Sequence, residues 1–341
     1  MTSGNLQDRV RKFQRGEDLP EDEAALFFDS LLSGQDESLI KDVLTAWELK
    51  GTSENEIYAL AKIMRDRCVK VRSKHEIFVD AVGTGGSKAK TFNVSTAAAF
   101  VIAGAGVPVA KHGNRAATSK SGSADVLSAL GVNPSVNAAK AEECLNDLGI
   151  CFMFAPNFHS LSPVLAKVRR EMGVPTIFNN LGPLCNPADA PHQIIGVWRE
   201  DLVEKTARVL ARLGTRKSWV VHGSDGLDEV TLADETHVAE IENGNVNVFR
   251  VAPKDFGLEN ASLSELKKST PEESAGLIRS ILSGECRIQS AVNLVLINSA
   301  VPIYLAGGTK SLVSAVEAAR KSLRSGAAMG KLENLIEATN K

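Results

Sequence analysis

The sequence predicts an α/β fold: a mostly parallel central sheet flanked by helices, with a small all-helical N-terminal domain. Two observations carry this prediction. Short apolar segments alternate with helical segments from residue 77 onward, and apolar residues recur at three- and four-residue spacing from Leu6 to about Val71. Strand–helix alternation is typical of a parallel sheet covered by helices, and the wider spacing is that of helices with one buried face.

The helical part begins the chain. Apolar residues at 57, 60, 61 and 64 define one helix, and Ser53 with Glu56 three residues later has the spacing of a capping box at its start. We expect a helical domain over residues 1–73, joined by part of 165–190, and an α/β domain over 76–341.

The alternation sets the order of elements in the second part. We predict strands at 77–82, 107–110, 150–154, 194–197 and 219–221. We predict helices at 96–105, 123–130, 138–148, 202–213 and 291–305, and a last helical stretch at 310–336 that is broken near Gly326 or Gly330.

Composition excludes several classes of protein. The chain is 43% hydrophobic and 23% charged, which is ordinary for a protein with a real core. A net charge of −2 gives no overall attraction to nucleic acid or anionic membranes. The five cysteines are odd in number and form no CxxC pair, which favours a reducing compartment. Because the N-terminus is polar we expect no signal peptide, and the longest apolar stretch, 97–110, is too short to span a bilayer. We expect a cytoplasmic protein.

A glycine-rich segment follows the first predicted strand. Gly83-Thr-Gly-Gly86-Ser87 precedes Asn93-Val-Ser-Thr96, which leads into a helix. Glycine lets the backbone approach a ligand, and the amides of a helix start favour an anion. The segment matches neither the P-loop nor the dinucleotide fingerprint. It is either a phosphate cradle or a tight strand-to-helix turn with a good cap.

A second anion-binding cluster follows the next predicted strand. Lys111-His-Gly-Asn-Arg115 and the hydroxyl-rich run 118–123 lead into another helix. Neighbouring parallel strands place such loops at one edge of the sheet, where α/β proteins bind ligands. Two anion sites at one edge favour a substrate with two separated phosphate groups. Taken singly, Lys111 and Arg115 would read as solvated surface charges.

The third element is acidic. The strand at 219–221 runs into Asp225-Gly-Leu-Asp228-Glu229. Magnesium binds through one or two carboxylates together with substrate phosphates and water. The alternative is an acidic surface turn without a ligand.

In combination these segments resemble the anthranilate phosphoribosyltransferase family of tryptophan biosynthesis, in the type III phosphoribosyltransferase group. The resemblance covers nearly the whole chain and rests on the GTGG, NVST, KHGNR, KSGS and DGLDE segments, with Phe178-Asn179 and Leu181-Gly-Pro-Leu184 between them. It implies a transferase that moves the phosphoribosyl group of 5-phosphoribosyl-1-pyrophosphate (PRPP) to the amine of anthranilate. It also implies Mg²⁺ as cofactor and a homodimer, with no membrane or nucleic-acid partner.

The resemblance also implies site residues. Ser95, Asp228 and Glu229 would hold the metal, and Gly83, Asn114, His159 and Arg169 would contact anthranilate. The guanidinium of Arg169 matches a carboxylate in a bidentate fork, although alone it would read as a surface arginine. No nucleophile or general base is implied. PRPP would be surrounded by Gly83, Gly86, Ser87, Thr91, Asn93, Val94, Ser95, Thr96, Lys111, His112, Gly113, Asn114, Arg115, Ala116, Ala117, Thr118, Ser119 and Ser123.

The chain departs from the family pattern at a few positions. Most members have aspartate at Ser87 and glycine at Lys88, arginine at Pro175 and an apolar residue at Asn180. Two other functions therefore stay open. One is a non-enzymatic nucleic-acid-binding relative on the same scaffold. The other is a phosphoribosyltransferase or phosphorylase with a different aromatic acceptor.

Overall fold

The N-terminal part of the chain is a helical bundle. A computed structural model describes residues 6–85, 87, 89, 91–115 and 121–341. Ser53 and Glu56 form the predicted capping box, in which the Ser53 hydroxyl accepts from the Glu56 amide and the Glu56 carboxylate accepts from the Ser53 amide. The bundle contains α1 (Leu6–Gln14), α2 (Glu21–Ser33), α3 (Glu37–Lys50) and α4 (Glu54–Arg67).

The remainder forms around one seven-stranded sheet with the spatial order β3-β2-β1-β4-β5-β6-β7. The pairs among the first five strands are parallel, and the pairs β5–β6 and β6–β7 are antiparallel. The mostly parallel sheet flanked by helices is confirmed. The strands are β1 (Val79–Gly83), β2 (Val109–Gly113), β3 (Ile150–Phe154), β4 (His192–Gly196), β5 (Lys217–Gly223), β6 (Thr236–Glu242) and β7 (Asn245–Val251).

Helices cover both faces of the sheet. Two 3₁₀ turns (Pro253–Phe256 and Ser264–Leu266) and one π turn (Cys144–Leu148) accompany them. The helices are α5 (Val94–Gly104), α6 (Ser123–Leu130), α7 (Ala138–Glu143), α8 (Ala155–Phe158), α9 (Pro163–Met172), α10 (Ile177–Leu184), α11 (Leu202–Arg212), α12 (Pro271–Leu282), α13 (Gln289–Leu305), α14 (Leu312–Arg324) and α15 (Ala327–Asn340).

Two hydrophobic cores lie on opposite sides of the sheet. One joins the alanine-rich α5 to α13, α14 and α15. The other joins α1–α4 to buried residues of α9, α10 and α11, such as Leu165, Phe178 and Leu210. The helical bundle thus shares its core with the segment 165–184. This packing favours the predicted division into a domain of 1–73 with part of 165–190 and a domain of 76–341, which stays a prediction.

The structure differs from the predicted elements in several places. Helix α5 begins at Val94, two residues earlier than predicted. The predicted helix 138–148 is α7 followed by a π turn, and the predicted break in the last helical stretch lies at Gly326, between α14 and α15. The antiparallel strands β6 and β7 and the helices α9, α10 and α12 were not predicted. Within the described ranges, no helix combines the length and apolar character that crossing a membrane requires.

Candidate active site

The site lies where the strand order of the sheet reverses, between β1 and β4. After β1 the chain adds β2 and β3 on one side, and then returns to place β4 on the other side of β1. The crevice outside the carboxyl ends of such strands is the usual ligand site of an open α/β sheet. β1, β2, β4 and β5 all end in glycine, at Gly83, Gly113, Gly196 and Gly223.

The acidic turn packs directly on two of these glycines. A Cβ on Gly196 would overlap the main-chain oxygen of Asp228, and a Cβ on Gly83 would lie 2.9 Å from its Oδ2. The amide of Gly85 also donates to Asp228 Oδ2 at 3.1 Å. These glycines are therefore required for close approach, and they bring the turn after β5 across the ends of β1 and β4.

Glu229 reaches the start of α5. Its Oε1 accepts from the Ser95 amide at 3.1 Å, while its Oε2 is buried and has no hydrogen-bond partner among the described residues. Burial raises the pKa of Glu229 well above its ordinary value, and the neighbouring Asp228 raises it further. Burial also raises the pKa of Asp228. The three predicted metal residues, Ser95, Asp228 and Glu229, are thus brought together with one carboxylate oxygen left open.

Lys111 on β2 points into the same place. Its Nζ donates to Ala81 O at 2.6 Å and to Ser95 Oγ at 3.3 Å, and the residue is 3% exposed. Burial lowers the pKa of Lys111, while Asp80 and Glu229 act in the opposite direction. The ammonium is held beneath the start of α5, in position to meet an anion.

Asp80 is the buried counter-charge of this cation. It is fully buried, and its carboxylate accepts from the His112 amide at 3.2 Å and from Asn186 Nδ2 at 2.7 Å. Burial raises the pKa of Asp80 to about 6, against the opposing effect of Lys111. The site prediction did not include Asp80 or Asn186. The sequence signal for Asp80 was a lone carboxylate inside an apolar strand segment.

The glycine-rich segment is tied to the acidic turn. The Ser87 hydroxyl lies 2.7 Å from Ala89 O and 2.6 Å from Gly226 O, so its single hydrogen serves main-chain carbonyls. The Thr84 amide donates to Gly196 O at 2.9 Å. Gly86, Lys88 and Lys90 lie outside the described residues.

The start of α5 has mixed partners. Asn93 occupies the N-cap position but does not cap the helix through its side chain, since its Oδ1 accepts from the hydroxyls of Ser121 and Ser274. The hydroxyl of Thr91 donates to Phe92 O. The side chain of Val94 is buried in the core, and the buried Thr96 Oγ1 has no partner among the described residues.

The second loop begins with His112. Its Nδ1 bonds Gly182 O at 3.2 Å, while Nε2 is buried without a partner among the described residues. Burial lowers the pKa of His112 to about 3, so the ring is neutral. A Cβ on Gly113 would overlap the hydroxyl of Ser123, which itself donates to Asn114 O at 3.3 Å. This packing places residues 112–114 beside Ser123.

The exposed end of this loop is held by α6. Arg115 forms an ion pair with Asp125 at 2.8 Å and lies over the ring of Phe154. Its amide donates to the side chain of Asn114. The predicted residues Ala116, Ala117, Thr118 and Ser119 lie outside the described residues.

Of the predicted acceptor residues, Arg169 lies on α9 and His159 directly follows α8. Arg169 on α9 stacks over Phe178 at 4.8 Å, and its Nε is buried without a partner among the described residues. Burial lowers its pKa to about 10, and no ion pair joins it to a carboxylate of the described chain. The ring of His159 lies 5.1 Å from that of His112 and bonds Cys185 O through Nε2 at 3.0 Å. Burial lowers the pKa of His159.

Two of the departures from the family pattern lie away from these groups. Asn180 is 2% exposed, and its Oδ1 accepts from Thr206 on α11 at 3.1 Å, while its Nδ2 has no described partner. Pro175 lies at the wall of a large cleft that Gly226 of the acidic turn also lines. Asn180 therefore faces the helix behind α10, where Thr206 satisfies its carbonyl oxygen.

Comparison with known proteins gives a consistent result. Residues 75–329 match the glycosyl transferase family a/b domain, and residues 7–68 match the helical bundle domain of the same family. The chain is 44% identical to an anthranilate phosphoribosyltransferase of Pelotomaculum thermopropionicum over 98% of this chain and 96% of that protein. It is 43% identical to one of Moorella thermoacetica, over 97% of both.

Solved structures agree with the sequence relatives. The crystal structure of anthranilate phosphoribosyltransferase from Thermus thermophilus superposes with a TM-score of 0.89 at 39% identity, over 98% of this chain and 100% of that one. The Saccharomyces cerevisiae enzyme in complex with PRPP and Mg gives 0.87 at 28% identity, over 99% of both. The chain therefore belongs to the glycosyl transferase family and, within it, to the anthranilate phosphoribosyltransferases.

Proposed function

We propose that this protein transfers the phosphoribosyl group of PRPP to the amine of anthranilate, giving N-(5-phosphoribosyl)anthranilate and pyrophosphate, in tryptophan biosynthesis. One observation carries the proposal. At one sheet edge, a buried ammonium and an open carboxylate oxygen stand beside a helix start, and the guanidinium of Arg169 on α9 has no carboxylate partner within the described chain. Yeast relatives were solved with PRPP and Mg and with 4-fluoroanthranilate, which supports the same pair of substrates here.

PRPP fits the edge formed by β1 and β2. We assign it to Gly83, Ser87, Thr91, Asn93 to Thr96, Lys111 to Arg115 and Ser123, together with Gly86 and 116–119. Amides at the start of α5 and the Lys111 ammonium supply the positive potential that phosphate oxygens require. Val94 contributes main chain alone, because its side chain is in the core.

Magnesium fits the acidic residues beside it. Ser95, Asp228 and Glu229 offer hard oxygen ligands, and Glu229 Oε2 is buried with no described partner. Among the described residues no group of three or more His, Cys, Asp or Glu side chains could hold a metal, so substrate oxygens would complete the coordination. When bound, the ion would neutralise charge on the pyrophosphate.

We assign anthranilate to Arg169 and to the adjacent rings of His159 and His112. The guanidinium has no carboxylate partner within the described chain, and a benzoate-type carboxylate would pair with it in a bidentate fork. Gly83, Asn114 and His159 would complete the acceptor site. His159 is buried against His112, so it would shape the wall of the site.

The reaction needs little proton transfer from the protein. An arylamine is already neutral at pH 7. Its nitrogen bonds to the sugar carbon as the carbon–oxygen bond to pyrophosphate breaks, and the nitrogen then loses its surplus proton to water or to the released pyrophosphate. The developing negative charge on the pyrophosphate is met by Lys111 and the helix start, so catalysis rests on positioning and electrostatics. Consistent with this, we assign no nucleophile or general base. We further propose a homodimer as the working form.

The test is a direct assay. Purified protein is mixed with PRPP, Mg²⁺ and anthranilate, and the loss of anthranilate fluorescence is followed, with PRPP omitted as the control. We expect turnover that requires PRPP and is abolished by a chelator. No turnover at saturating substrates, together with salt-sensitive binding to single-stranded DNA, would overturn the proposal. Turnover of a different aromatic acceptor alone would replace anthranilate with that acceptor.

A further inference from the structure

A large cleft borders the acidic turn, and none of its described lining residues is assigned to PRPP, magnesium or anthranilate. Its volume is about 1100 Å³, and it runs between Glu48 on α3, Pro175 before α10 and Val248 on β7. The turn residues Ser224 and Gly226 form part of its wall. Clefts between domains at the carboxyl end of a sheet are common binding sites for small molecules.

Two histidines lie side by side in this cleft. His222 on β5 and His237 on β6 are direct cross-strand partners, so their side chains share one face of the sheet. His222 is 8% exposed, and its Nδ1 lies 2.7 Å from Val197 O. A carbonyl oxygen can only accept, so Nδ1 carries the hydrogen, and in the neutral ring Nε2 is an acceptor. Nε2 makes no hydrogen bond with a described residue.

The charges in the cleft are mostly negative. Four carboxylates line it, those of Glu48, Glu200, Asp201 and Glu204, and Arg199 supplies the one guanidinium among its described lining residues. Glu204 is paired with Arg208 of the same helix, just outside the lining. Arg199 is already bonded to Asp201 at 2.8 Å through two nitrogens. Glu200 lies 2.9 Å from Nδ1 of His237. The cleft therefore favours a cation over an anion.

The remaining walls are apolar and accessible. Val174 and Val248 are 50% and 52% exposed, and Trp198 is half-buried at the same cleft. Apolar groups exposed inside a concave surface are typical of binding sites, and a tryptophan face also attracts cations.

We propose that this cleft binds a small amphipathic amine, a protonated amine on an apolar or aromatic skeleton. The ammonium would donate to Nε2 of His222 and lie among the carboxylates, while the skeleton would cover Trp198 and the exposed valines. An acceptor nitrogen, surplus negative charge and apolar walls are three independent features, and together they select this chemistry over carboxylates, phosphates and neutral sugars.

The cleft is connected to the active site through one turn. The Gly226 carbonyl, at the wall of the cleft, accepts from Ser87 of the glycine-rich segment at 2.6 Å. Asp228, which bonds the Gly85 amide, follows two residues later. A ligand in the cleft would therefore change the KM for PRPP. This second part rests on the proposed function, whereas binding itself does not.

Trp198 provides a readout of binding that is independent of activity. The other two tryptophans, Trp47 and Trp219, are 1% and 2% exposed, so a ligand in the cleft would change the emission of Trp198 alone. We would titrate the full-length protein with phenethylamine, using 3-phenylpropionate as the matched skeleton of opposite charge. Saturable binding of the amine, with calorimetry as a second measurement, is expected. The Trp198→Phe variant should lose the optical signal.

The charge variant decides the assignment. In Glu200→Gln/Glu204→Gln, which spares the active site, we expect the Kd for phenethylamine to weaken about tenfold with basal turnover unchanged. Glu333→Gln, at an exposed position on α15, is the surface control and should bind as the parent does. Equal affinity for phenylpropionate, no saturable binding, or an unchanged Kd in the double variant would overturn the site.

Kinetics tests the connection separately. At saturating phenethylamine we expect the KM for PRPP to change about fivefold while the KM for anthranilate stays constant. Binding without any change in the KM for PRPP would overturn the connection and leave the site standing. Competition of the amine with anthranilate would place it in the acceptor site and overturn the cleft assignment.

Discussion

Lys111 and Arg169 are two enclosed cations, and the protein surrounds them with different partners. Lys111 donates to a carbonyl and a hydroxyl, and its charge is balanced by Asp80 and Glu229. Arg169 has an aromatic ring for a neighbour and no carboxylate within the described chain. Burying a charge without a partner costs free energy, so the gap around Arg169 is the more informative of the two.

The buried carboxylates of Asp80 and Glu229 show the same contrast between partnered and unpartnered groups. The carboxylate of Asp80 is satisfied by an amide and by Asn186, while Glu229 keeps one buried oxygen open among the described residues. Groups that the protein satisfies fix the geometry of the site. Groups left open at the sheet edge mark where the ligands complete it.

The largest expected effect comes from changing Glu229, whose buried oxygen has no partner among the described residues. Glu229→Gln removes the negative charge from the unpartnered oxygen and with it the proposed metal ligand. We expect kcat/KM for PRPP to fall about 1,000-fold, equal to ~4 kcal/mol of transition-state stabilisation. Steady-state kinetics at varied Mg²⁺ would measure it, with Glu333→Gln as the control. Unchanged turnover would show that the open oxygen has no ligand role.

Asp80→Asn tests a hydrogen-bonded group of the site through the pH dependence of the unfolding free energy. The pKa of Asp80 is raised to about 6 in the fold, so the folded state binds this proton more tightly than the unfolded chain does. The carboxyl group thus stabilises the fold below pH 4, relative to higher pH, and that contribution is lost as pH rises through 6. It amounts to ~3 kcal/mol.

Asparagine does not titrate. The difference in unfolding free energy between Asp80→Asn and the parent should therefore move by that amount, in favour of the variant, between pH 4 and pH 7. Denaturant titrations at several pH values would measure it. A difference that is constant over this range would contradict the raised pKa of the buried carboxylate.

Arg169→Ala removes the unpaired guanidinium. We expect the KM for anthranilate to rise about 30-fold, since a hydrogen-bonded charge pair contributes ~2 kcal/mol. The KM for PRPP should stay within about twofold, because the residue faces the acceptor side. Arg170→Ala, at the next and exposed position of α9, is the matched control. Equal increases in both KM values would argue against recognition of the acceptor carboxylate.

The smallest effect concerns an open polar group away from the ligands. Asn180 Nδ2 is buried and unpartnered among the described residues, but the side chain faces Thr206 on α11. Asn180→Leu combined with Thr206→Val removes both members of this buried pair, so the double variant should stabilise the protein by ~1 kcal/mol and leave kcat unchanged. Thermal unfolding together with the turnover assay would measure both. A loss of turnover would mean that this pair serves the site after all.

The sequence predicted the parts of this site better than their connections. The glycine-rich loop, the Lys111–Arg115 loop and the alternating strands have strong local signals, and the structure brings them to one edge. The strands β6 and β7 escaped prediction because Thr236–Glu242 and Asn245–Val251 mix acidic and amide residues into the β pattern. Helix α10 contains Pro183, a residue that normally argues against a helix interior.

The other limit on prediction was that several groups of the site find their partners far away in the sequence. Nothing local in the sequence indicates that Asp228 packs on Gly196, or that Asn93 turns away from its helix to bond Ser274. These contacts join segments that are distant along the chain, so periodicity and capping rules cannot reveal them. The open oxygen of Glu229 likewise becomes visible only when all neighbours are in place.

The burial of α5 determines when the site can form during synthesis of the chain. Its alanine-rich surface packs on α13 and α15, which are made almost two hundred residues or more after it. When the glycine-rich loop and Lys111 have been synthesised, α13 and α15 have not. Helix α5, on which the loop and Lys111 depend, is then still uncovered. The phosphate-binding edge therefore forms late in synthesis, and until then α5 is an apolar surface that chaperones can recognise.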